Sequence, residues 1–258
     1  MSNSIKSYTQ QRYSQFAAGY VSSETHSKGA DLDLILKMAD PQADWRMLDI
    51  ATGGGHTIKL LAPYVRMSYA TDLTLNMLRE ARQANADVVA PIDYVVSDAE
   101  TLSFADASFD LVTCRIAAHH FPSIKQFVRE VTRVLRPGGL FILQDQLLPN
   151  HKKSAYYVDA FERLRDPSHV RALPMYLWKK HFEENHLTIE ATHIVQKRHD
   201  LVTWSERQGC DAQTIQRLRI LLLRAPERVQ EWMQPLNIMD TNASFINQHI
   251  LIKGVKHG

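Results

Sequence analysis

Three consecutive glycines, Gly53, Gly54 and Gly55, follow an apolar run that starts at Met47 and contains Asp49. The run has the composition of a buried strand, and the glycines come where such a strand would turn into a helix. Glycine is favoured at such a turn because the backbone must bend tightly and approach a ligand closely, and a Cβ hinders both. The pattern predicts a ligand-binding turn, with an ordinary tight turn as the alternative.

Acidic residues follow at the ends of the next two apolar runs. Asp72 comes about 20 residues after the glycines, where a doubly wound fold places a carboxylate that accepts hydrogen bonds from both ribose hydroxyls. Asp98 and Ala99 end the following run, where a carboxylate and a backbone N–H would lie near an adenine ring. This spacing predicts an adenosine-containing ligand. For Asp98, an exposed turn carboxylate is the alternative.

A glycine turn followed by an acid also binds nicotinamide dinucleotides, which makes an oxidoreductase a rival prediction. The dinucleotide fingerprint has a further glycine that packs the helix against the strand, and Ile58 occupies that position. A ligand without a pyrophosphate fits better. The turn would seat the amino acid end of S-adenosylmethionine, and Asp49, directly or through a water, would help to hold the ammonium group.

His119 and His120 come just after the fourth apolar run. Histidine titrates near neutral pH and can remove a proton from a phenol, an enol or an activated carbon. Both are therefore candidate catalytic bases, with a capping or packing role as the alternative. Weaker candidates are Asp145, His169, Arg171, Tyr20 and His26.

Strand-like and helix-like segments alternate over residues 30–146, which predicts a doubly wound, Rossmann-like α/β fold. Predicted strands cover 47–51, 67–71, 92–96, 109–114 and 140–145, and predicted helices cover 30–39, 56–63, 74–84 and 123–135. Ligands of such folds bind at the carboxyl ends of the strands. Residues 30–146 are thus the predicted cofactor-binding core.

Residues 147–258 are predicted to complete the same single domain, which spans 1–258. Helices are expected at about 151–165 and 177–185, and strands at about 188–196 and 245–255. A helical stretch within 201–239 lies between these strands, and we interpret it as a substrate lid, with a packing extension as the alternative. The polar residues 1–29 are expected to order late or on ligand binding.

The overall composition narrows the class of protein. The chain has 30 Lys and Arg against 28 Asp and Glu, and no long run of one sign, which argues against nucleic acid as a partner. Its two cysteines are too few for a disulfide framework or a cysteine-rich metal site, and no metal is expected. The N-terminus lacks a signal-peptide core, and no stretch approaches the roughly 18 apolar residues of a membrane span. A soluble cytoplasmic protein of undetermined oligomeric state is expected.

Five motifs in order resemble those of the class I S-adenosylmethionine-dependent methyltransferases, especially the ubiquinone and menaquinone biosynthesis group. They are LDIATGGGH, ATDLT, SDAETLSF, FDLVTCRIAAHHF and VTRVLRPGGLFILQD. The resemblance implies a seven-stranded sheet with an antiparallel last strand, and S-adenosylmethionine as the cofactor. It also implies cofactor contacts by Gly53, Gly54 and Gly55 to the methionine moiety, by Asp72 to the ribose, by Asp98 and Ala99 to the adenine, and by Arg115 near the methionine end.

The chain departs from the family pattern at two places: the first should leave the cofactor site intact, and the second limits what the resemblance implies about the acceptor. Ala51 stands where the usual pattern has its first glycine, and Cys114–Ala117 differs from the quinone-pathway enzymes. The predicted function is methyl transfer from S-adenosylmethionine to a carbon or oxygen of a small molecule. A protein of the same fold that catalyses a non-methylating reaction, such as a cyclisation, is the alternative.

Overall fold

The computed structural model describes residues 2–21 and 30–258. Within these residues, the strands of one sheet are β1 (Arg46–Ile50), β2 (Met67–Asp72), β3 (Ile92–Val96), β4 (Phe109–Arg115), β5 (Leu135–Leu148), β6 (Leu173–Pro174), β7 (Leu187–Asp200) and β8 (Ser244–Lys256). Seven of them follow the order β3-β2-β1-β4-β5-β8-β7, and the two-residue β6 pairs with β5. Neighbours among β1 to β5 are parallel, and β8 is antiparallel to β5 and β7. The predicted Rossmann-like fold is confirmed, and β6 is the strand that the sequence analysis missed.

The helices of the described residues are α1 (Ser2–Val21), α2 (Ala30–Ala39), α3 (His56–Leu61), α4 (Leu75–Ala84), α5 (Ile124–Val134), α6 (Lys152–Arg165), α7 (Met175–Glu183), α8 (Leu201–Glu206), α9 (Ala212–Leu223) and α10 (Glu227–Met233). Short 3-10 turns cover Ala62–Tyr64 and Ala118–His120. None of these helices is long and apolar enough to cross a membrane.

Apolar packing on both faces holds the parallel strands in place. Successive residues of β5 point to opposite faces, so Phe141 packs with Phe127 of α5 and Phe182 of α7, whereas Ile142 packs with Ile35 of α2. A strand covered on both faces reads as a continuous apolar run, which is why the sequence predicted β1, β4 and the second half of β5. This packing fixes the carboxyl ends of the strands, where functional side chains were expected.

The described part of the N-terminal segment is helical. Residues 2–21 form α1. Polar contacts connect the helix to the core: Gln10 Nε2 donates to the Leu73 carbonyl at 2.8 Å, and Lys6 Nζ lies 2.6 Å from Asp98 Oδ2. Because these contacts are polar, they leave no apolar periodicity in the sequence from which they could be predicted. The Tyr20 side chain and His26, both weaker candidates above, lie outside what the structure describes.

The segment proposed as a lid contains α8, α9 and α10. Its buried Leu218, Leu222 and Val229 share one hydrophobic cluster with Phe161 of α6 and Phe245 of β8. This shared packing makes the segment part of the hydrophobic core. Deletion of 201–239 is therefore expected to abolish the folded state rather than to remove a detachable lid.

A single substitution tests the contribution of this cluster. Leu218 is fully buried, so Leu218→Ala is expected to lower the free energy of unfolding by about 2–5 kcal/mol. Ile220 of the same helix is 45% exposed, and Ile220→Ala should cost less than about 1 kcal/mol. Urea denaturation followed by tryptophan fluorescence measures both. Equal, small effects would contradict a core role for the segment.

Candidate active site

One cavity of about 130 Å³ opens at the carboxyl ends of β1 to β4. Its lining includes seven of the eight predicted cofactor residues: Asp49, Gly53, Gly54, Asp72, Asp98, Ala99 and Arg115. Helix α1 covers one side and contributes Lys6, Thr9 and Tyr13. The cavity lies where the connections from β1 and β4 lead to opposite sides of the sheet, the usual ligand position in doubly wound folds.

Gly55, the remaining predicted cofactor residue, is not part of this lining. Its φ is +79°, and a Cβ built on it would lie 2.5 Å from the Asn85 side-chain nitrogen and 3.2 Å from the Ala81 Cβ. Glycine is thus required at 55 by backbone conformation and by packing against the α4 side of the turn. A larger residue there would distort the turn by contact with Asn85 and Ala81 rather than by entering the cavity.

Two other turn residues share the left-handed backbone region. Ala51 has a φ of 53° and Gly53 a φ of 54°. Ala51 adopts this conformation although it has a Cβ, at a cost of about 1–2 kcal/mol. The Gly53 amide donates to Asp72 Oδ2 at 3.1 Å, which joins the turn to the end of β2.

Asp49 lies beneath the turn with both carboxylate oxygens engaged. Thr52 Oγ1 and Thr113 Oγ1 each donate to it at 2.6 Å. Burial raises the pKa of Asp49 to about 6. The carboxylate thus holds the turn, and an ammonium group in the cavity would interact mainly with its charge.

Asp72 is arranged to accept further hydrogen bonds. Its Oδ2 accepts from the Gly53 amide, and its Oδ1 accepts from the Thr74 amide at 2.9 Å. Each carboxylate oxygen can accept a second hydrogen bond, so two adjacent ligand hydroxyls can be bound at once. Burial raises the pKa of Asp72 to about 6.

The residues after β3 form the end of the cavity that lies away from the glycine turn. Ala99 is buried there beside Asp98 and lines the cavity. Lys6 Nζ lies 2.6 Å from Asp98 Oδ2 and 2.5 Å from Glu100 Oε2. Burial opposes the charge of Lys6, but the two carboxylates outweigh it and raise the pKa of the ammonium group. The ion pairs hold α1 over this end of the cavity.

Arg115 is held by a buried carboxylate in the cavity wall. Its guanidinium lies 2.7 Å from Asp31 Oδ2 and donates to Gln144 Oε1 at 3.0 Å. Lys197 Nζ lies 2.8 Å from the same Asp31 oxygen. Burial would raise the pKa of Asp31, but the two cations lower it well below its usual value. Asp31 therefore fixes one cation in this cavity and another in a neighbouring one.

A second cavity, of about 60 Å³, lies next to the first. Tyr13, Ile116 and His120 line both. The other residues that line the second cavity are His119, Gln146, Arg165, Asp166, Lys197, His199, Trp204, Arg207, Gln208, Asn247 and His249. The three shared residues mark where a ligand in one cavity would meet a ligand in the other.

His119 forms an imidazole–carboxylate pair with Asp145. His119 Nδ1 lies 2.6 Å from Asp145 Oδ1, and because a carboxylate only accepts, Nδ1 donates. Burial lowers the pKa of His119, but the attraction of Asp145 outweighs it and the pKa lies above 6.5. The neutral ring therefore has its Nε2 lone pair available on the other side.

His120 is held in one neutral tautomer. Its Nδ1 lies 3.0 Å from the Ser168 carbonyl, to which it must donate, so Nε2 accepts from the Tyr13 hydroxyl at 2.7 Å. Burial and the charge of His119 lower the pKa of His120 to about 3. His169 and Arg171, two of the weaker candidates, line neither cavity.

Ile116 has a strained backbone at the junction of the cavities. Its φ is 55°, a region where branched side chains are rare. Ile116→Gly should change the free energy of unfolding by less than about 1 kcal/mol, since relief of strain offsets lost packing. A reaction between a ligand in the first cavity and a ligand in the second should slow at least about tenfold, because the side chain that helps to align them is lost. Denaturation and rate measurements test this, and a large loss of stability would contradict the strain argument.

Sequence reasoning missed the polar residues of the last two strands. Lys197 and His199 alternate on β7, Asn247 and His249 alternate on β8, and Lys197 is directly opposite Asn247. Gln146 of β5 pairs with His249. Because side chains of a strand point alternately to the two faces, these five residues lie on the same face of the sheet. The signal available in the sequence was a run of consecutive polar residues in each strand, 196–200 in β7 and 247–249 in β8.

Comparisons with known proteins agree with this geometry. Residues 48–143 match the methyltransferase domain family. The chain is 34% identical over 246 residues, 95% of its length, to an uncharacterized methyltransferase, YcgJ of Bacillus subtilis (strain 168), and covers 97% of that protein. The crystal structure of YcgJ has a TM-score of 0.82 and 35% identity, over 88% of this chain and 98% of that chain.

Two further proteins are similar over less of their length or in fold alone. Over 103 residues, 38% of this chain and 40% of that protein, the sequence is 40% identical to the ubiquinone/menaquinone biosynthesis C-methyltransferase UbiE of Bartonella tribocorum. The cyclase SpnF has a TM-score of 0.59 at 14% identity over 88% of this chain and 79% of that chain, which is a likeness of fold. With the near full-length similarity to YcgJ, these findings establish that the chain belongs to the class I S-adenosylmethionine-dependent methyltransferases.

Proposed function

We propose that this methyltransferase methylates a carbon or an oxygen of a small molecule bound in the second cavity. The observation that carries the proposal is the His119–Asp145 pair, 2.6 Å apart, in the wall of that cavity. An acceptor that is a hydroxyl or a carbon acid must lose a proton to become nucleophilic. A buried base beside the cofactor cavity meets that requirement.

The residues of the first cavity fit S-adenosylmethionine. Gly53 and Gly54 leave space for the methionine part, Asp72 has acceptor capacity for both ribose hydroxyls, and Asp98 with Ala99 would hold the adenine. When bound, the cofactor supplies an electrophilic methyl group on a sulfonium. The main contribution of the protein to an in-line displacement is to align the acceptor atom in a pocket closed to water.

We assign the proton transfer to His119. Its Nδ1 donates to Asp145, which leaves Nε2 to take the acceptor proton. The raised pKa makes it a stronger base than an ordinary histidine. His119 lines the second cavity but not the first, as expected of a group that acts on the acceptor.

His120 is better suited to positioning than to proton transfer. A pKa of about 3 makes its ring a weak base, and both of its nitrogens already have partners. Its bond to Tyr13 attaches α1 to the junction of the cavities. We infer that His120 and Tyr13 together orient the acceptor.

Helix α8 and the residues after it form the outer wall of the second cavity in this proposal. Trp204, Arg207 and Gln208 contribute to its lining. Arg12 of α1 donates to the Gln208 carbonyl and, at 3.2 Å, to Gln208 Oε1. Separation of α1 from this wall would admit the acceptor. We therefore infer that α1, rather than the segment 201–239, acts as the lid.

Labelled cofactor identifies the acceptor. Purified protein is incubated with S-adenosylmethionine carrying a carbon-13 methyl group and a metabolite extract of the source organism. The expected result is S-adenosylhomocysteine together with a labelled small molecule, whose methyl carbon shift distinguishes a carbon from an oxygen acceptor. His119→Gln is the control and should slow product formation. A labelled nitrogen or sulfur would overturn the acceptor assignment, and a product formed without S-adenosylhomocysteine would favour the non-methylating alternative.

A further inference from the structure

Unsatisfied hydrogen-bonding atoms are concentrated around the second cavity. Among the described residues, eight buried side-chain nitrogen or oxygen atoms have no hydrogen-bond partner. Three of them belong to residues that line this cavity: Gln146 Oε1, His199 Nδ1 and His249 Nδ1. None belongs to the described lining of the first cavity. A buried polar atom without a partner costs free energy and calls for an explanation, such as a group that binds there.

The three residues lie on one face of the sheet and are almost fully buried. Gln146 is 9% exposed, His199 is 8% exposed and His249 is 3% exposed. Gln146 of β5 is directly opposite His249 of β8, and the register of β7 with β8 places His199 on the same face. A ligand group in the cavity can therefore contact side chains from three neighbouring strands.

Glu162 of α6 determines which atom of the Gln146 amide is left without a partner. Gln146 Nε2 lies 3.2 Å from Glu162 Oε2. An ionised carboxylate only accepts hydrogen bonds, so the amide nitrogen must face Glu162, which leaves the amide oxygen on the other side. That oxygen only accepts, so a ligand that satisfies it must carry an O–H or N–H group. An ionised carboxylate or a fully ionised phosphate group has no such donor.

Both histidines are neutral at pH 7. Burial and, after it, nearby positive charges lower the pKa of His199 to about 3 and that of His249 well below its usual value. A neutral imidazole has one N–H donor and one lone pair. A hydroxyl group can donate to the lone pair or accept from the N–H, so it suits either tautomer and brings no charge into the cavity.

The cations of the same wall already have partners. Lys197 Nζ lies 2.8 Å from Asp31 Oδ2. The Arg165 guanidinium lies 4.2 Å from the centre of the Trp204 ring and donates to the Trp204 carbonyl at 2.9 Å. Arg207 also interacts with another group of the protein. The unsatisfied atoms of this wall are therefore neutral, and a cationic ligand group would be repelled by the three positive charges.

We propose that the second cavity binds a hydroxyl group of the methyl acceptor, other than the atom that is methylated, through Gln146, His199 and His249. This inference rests on the proposed function, which makes the second cavity the acceptor site. The acceptor is thus a hydroxyl-bearing molecule, such as a phenol or a polyol. Its bound hydroxyl lies toward β5, β7 and β8, and its methylated atom lies toward His120 and the cofactor cavity. Glu162 is a positioning residue that orients the Gln146 amide.

Ligand-observed NMR titration of the protein saturated with S-adenosylhomocysteine tests the proposal. The probes are catechol, which has aromatic hydroxyls, myo-inositol, which has aliphatic hydroxyls, and ortho-difluorobenzene, which has nearly the shape of catechol without its hydroxyls. At least one hydroxyl probe should bind. The difluoro compound should bind at least about fivefold more weakly than that probe, because it leaves the buried nitrogens and the amide oxygen without partners.

His199→Phe and His249→Phe keep a ring in the wall but remove its nitrogens. Each should weaken the hydroxyl probe by about three- to tenfold, the range for one neutral hydrogen bond. Because each also removes an unsatisfied buried atom, the ligand-free variants should unfold at the same urea concentration as the parent or at a higher one. His181→Phe is the matched control: His181 Nδ1 is also buried without a described partner, but His181 lines neither cavity. It should leave probe affinity unchanged.

The outcomes separate this inference from the function on which it rests. Unchanged S-adenosylhomocysteine affinity shows that a variant is folded, and either cavity variant alone suffices if the other fails to fold. Equal binding of the difluoro compound, binding of none of the probes, or lower stability with unchanged probe affinity in the cavity variants would overturn the hydroxyl site. So would an equal effect of His181→Phe on probe affinity. A labelled nitrogen or sulfur in the labelled-cofactor experiment would instead overturn the proposed function and leave the hydroxyl site standing.

Discussion

Replacing His119 by glutamine is expected to lower the rate constant of methyl transfer by about 10²- to 10⁴-fold, the range that a positioned general base contributes. Glutamine can still hydrogen-bond to Asp145 but cannot take a proton. Affinity for S-adenosylhomocysteine should be unchanged, because His119 does not line the first cavity. Single-turnover kinetics at saturating cofactor measures the chemical step, and calorimetry measures the affinity.

The pH profile distinguishes a base from a packing residue. Only the neutral ring accepts a proton, so the parent rate should rise with pH and level off above the pKa of His119, which Asp145 raises above 6.5. Asp145→Asn removes that charge, so the midpoint should shift to lower pH and the plateau should fall. The His119→Gln rate should lose this dependence between about pH 5 and 8.

His120→Gln is the matched comparison within the same histidine pair. The ring of His120 is neutral throughout this range, so its replacement should slow the reaction without moving the midpoint. A His119→Gln rate within about threefold of the parent rate, with an unchanged profile, would mean that His119 is structural. The acceptor would then be a nucleophile that needs no deprotonation by the protein.

The core of the fold was predictable because its signals are local. Strand bounds in β1 and β4 follow from apolar runs buried on both faces, whereas β3 is a partly exposed edge strand, and Asp72 follows from its spacing after the glycine turn. Which glycines line the first cavity was not predictable in this way. Gly55 packs toward Asn85, 30 residues later, and that contact depends on how α4 lies against the turn.

Helix α1 and the second cavity depend on contacts between distant residues. Lys6 reaches Asp98 over 92 positions and Tyr13 reaches His120 over 107, and neither pairing leaves an apolar period in the sequence. The polar run that contains Lys197 and His199 was visible in the sequence, but which of its residues share a face with polar residues of β8 required the pairing of β7 with β8. Sequence alone therefore predicted the residues that line the first cavity better than those that line the second.

Asp72→Ala is expected to weaken S-adenosylhomocysteine binding by about 1.5–3 kcal/mol, roughly ten- to 150-fold, the range for loss of a charged hydrogen-bond acceptor. The variant loses the acceptors for two ribose hydroxyls. It also loses the carboxylate oxygen that accepts from the Gly53 amide at 3.1 Å in the parent. Calorimetry at pH 8, where the parent carboxylate is ionised, measures the change. Unchanged affinity would contradict the ribose assignment.

The pH dependence of the same affinity gives a second, independent test of Asp72. Burial raises its pKa to about 6, and ligand hydroxyls donate to the ionised form, so affinity should fall as the pH drops through 6. When one group must be ionised for binding, the affinity can fall by at most about tenfold for each pH unit below the pKa of that group. Asp72→Asn has no proton to gain and should bind weakly with a flatter profile. Any dependence that persists in Asp72→Asn belongs to Asp49, whose pKa burial also raises to about 6, and an unaltered profile would assign the whole effect to Asp49.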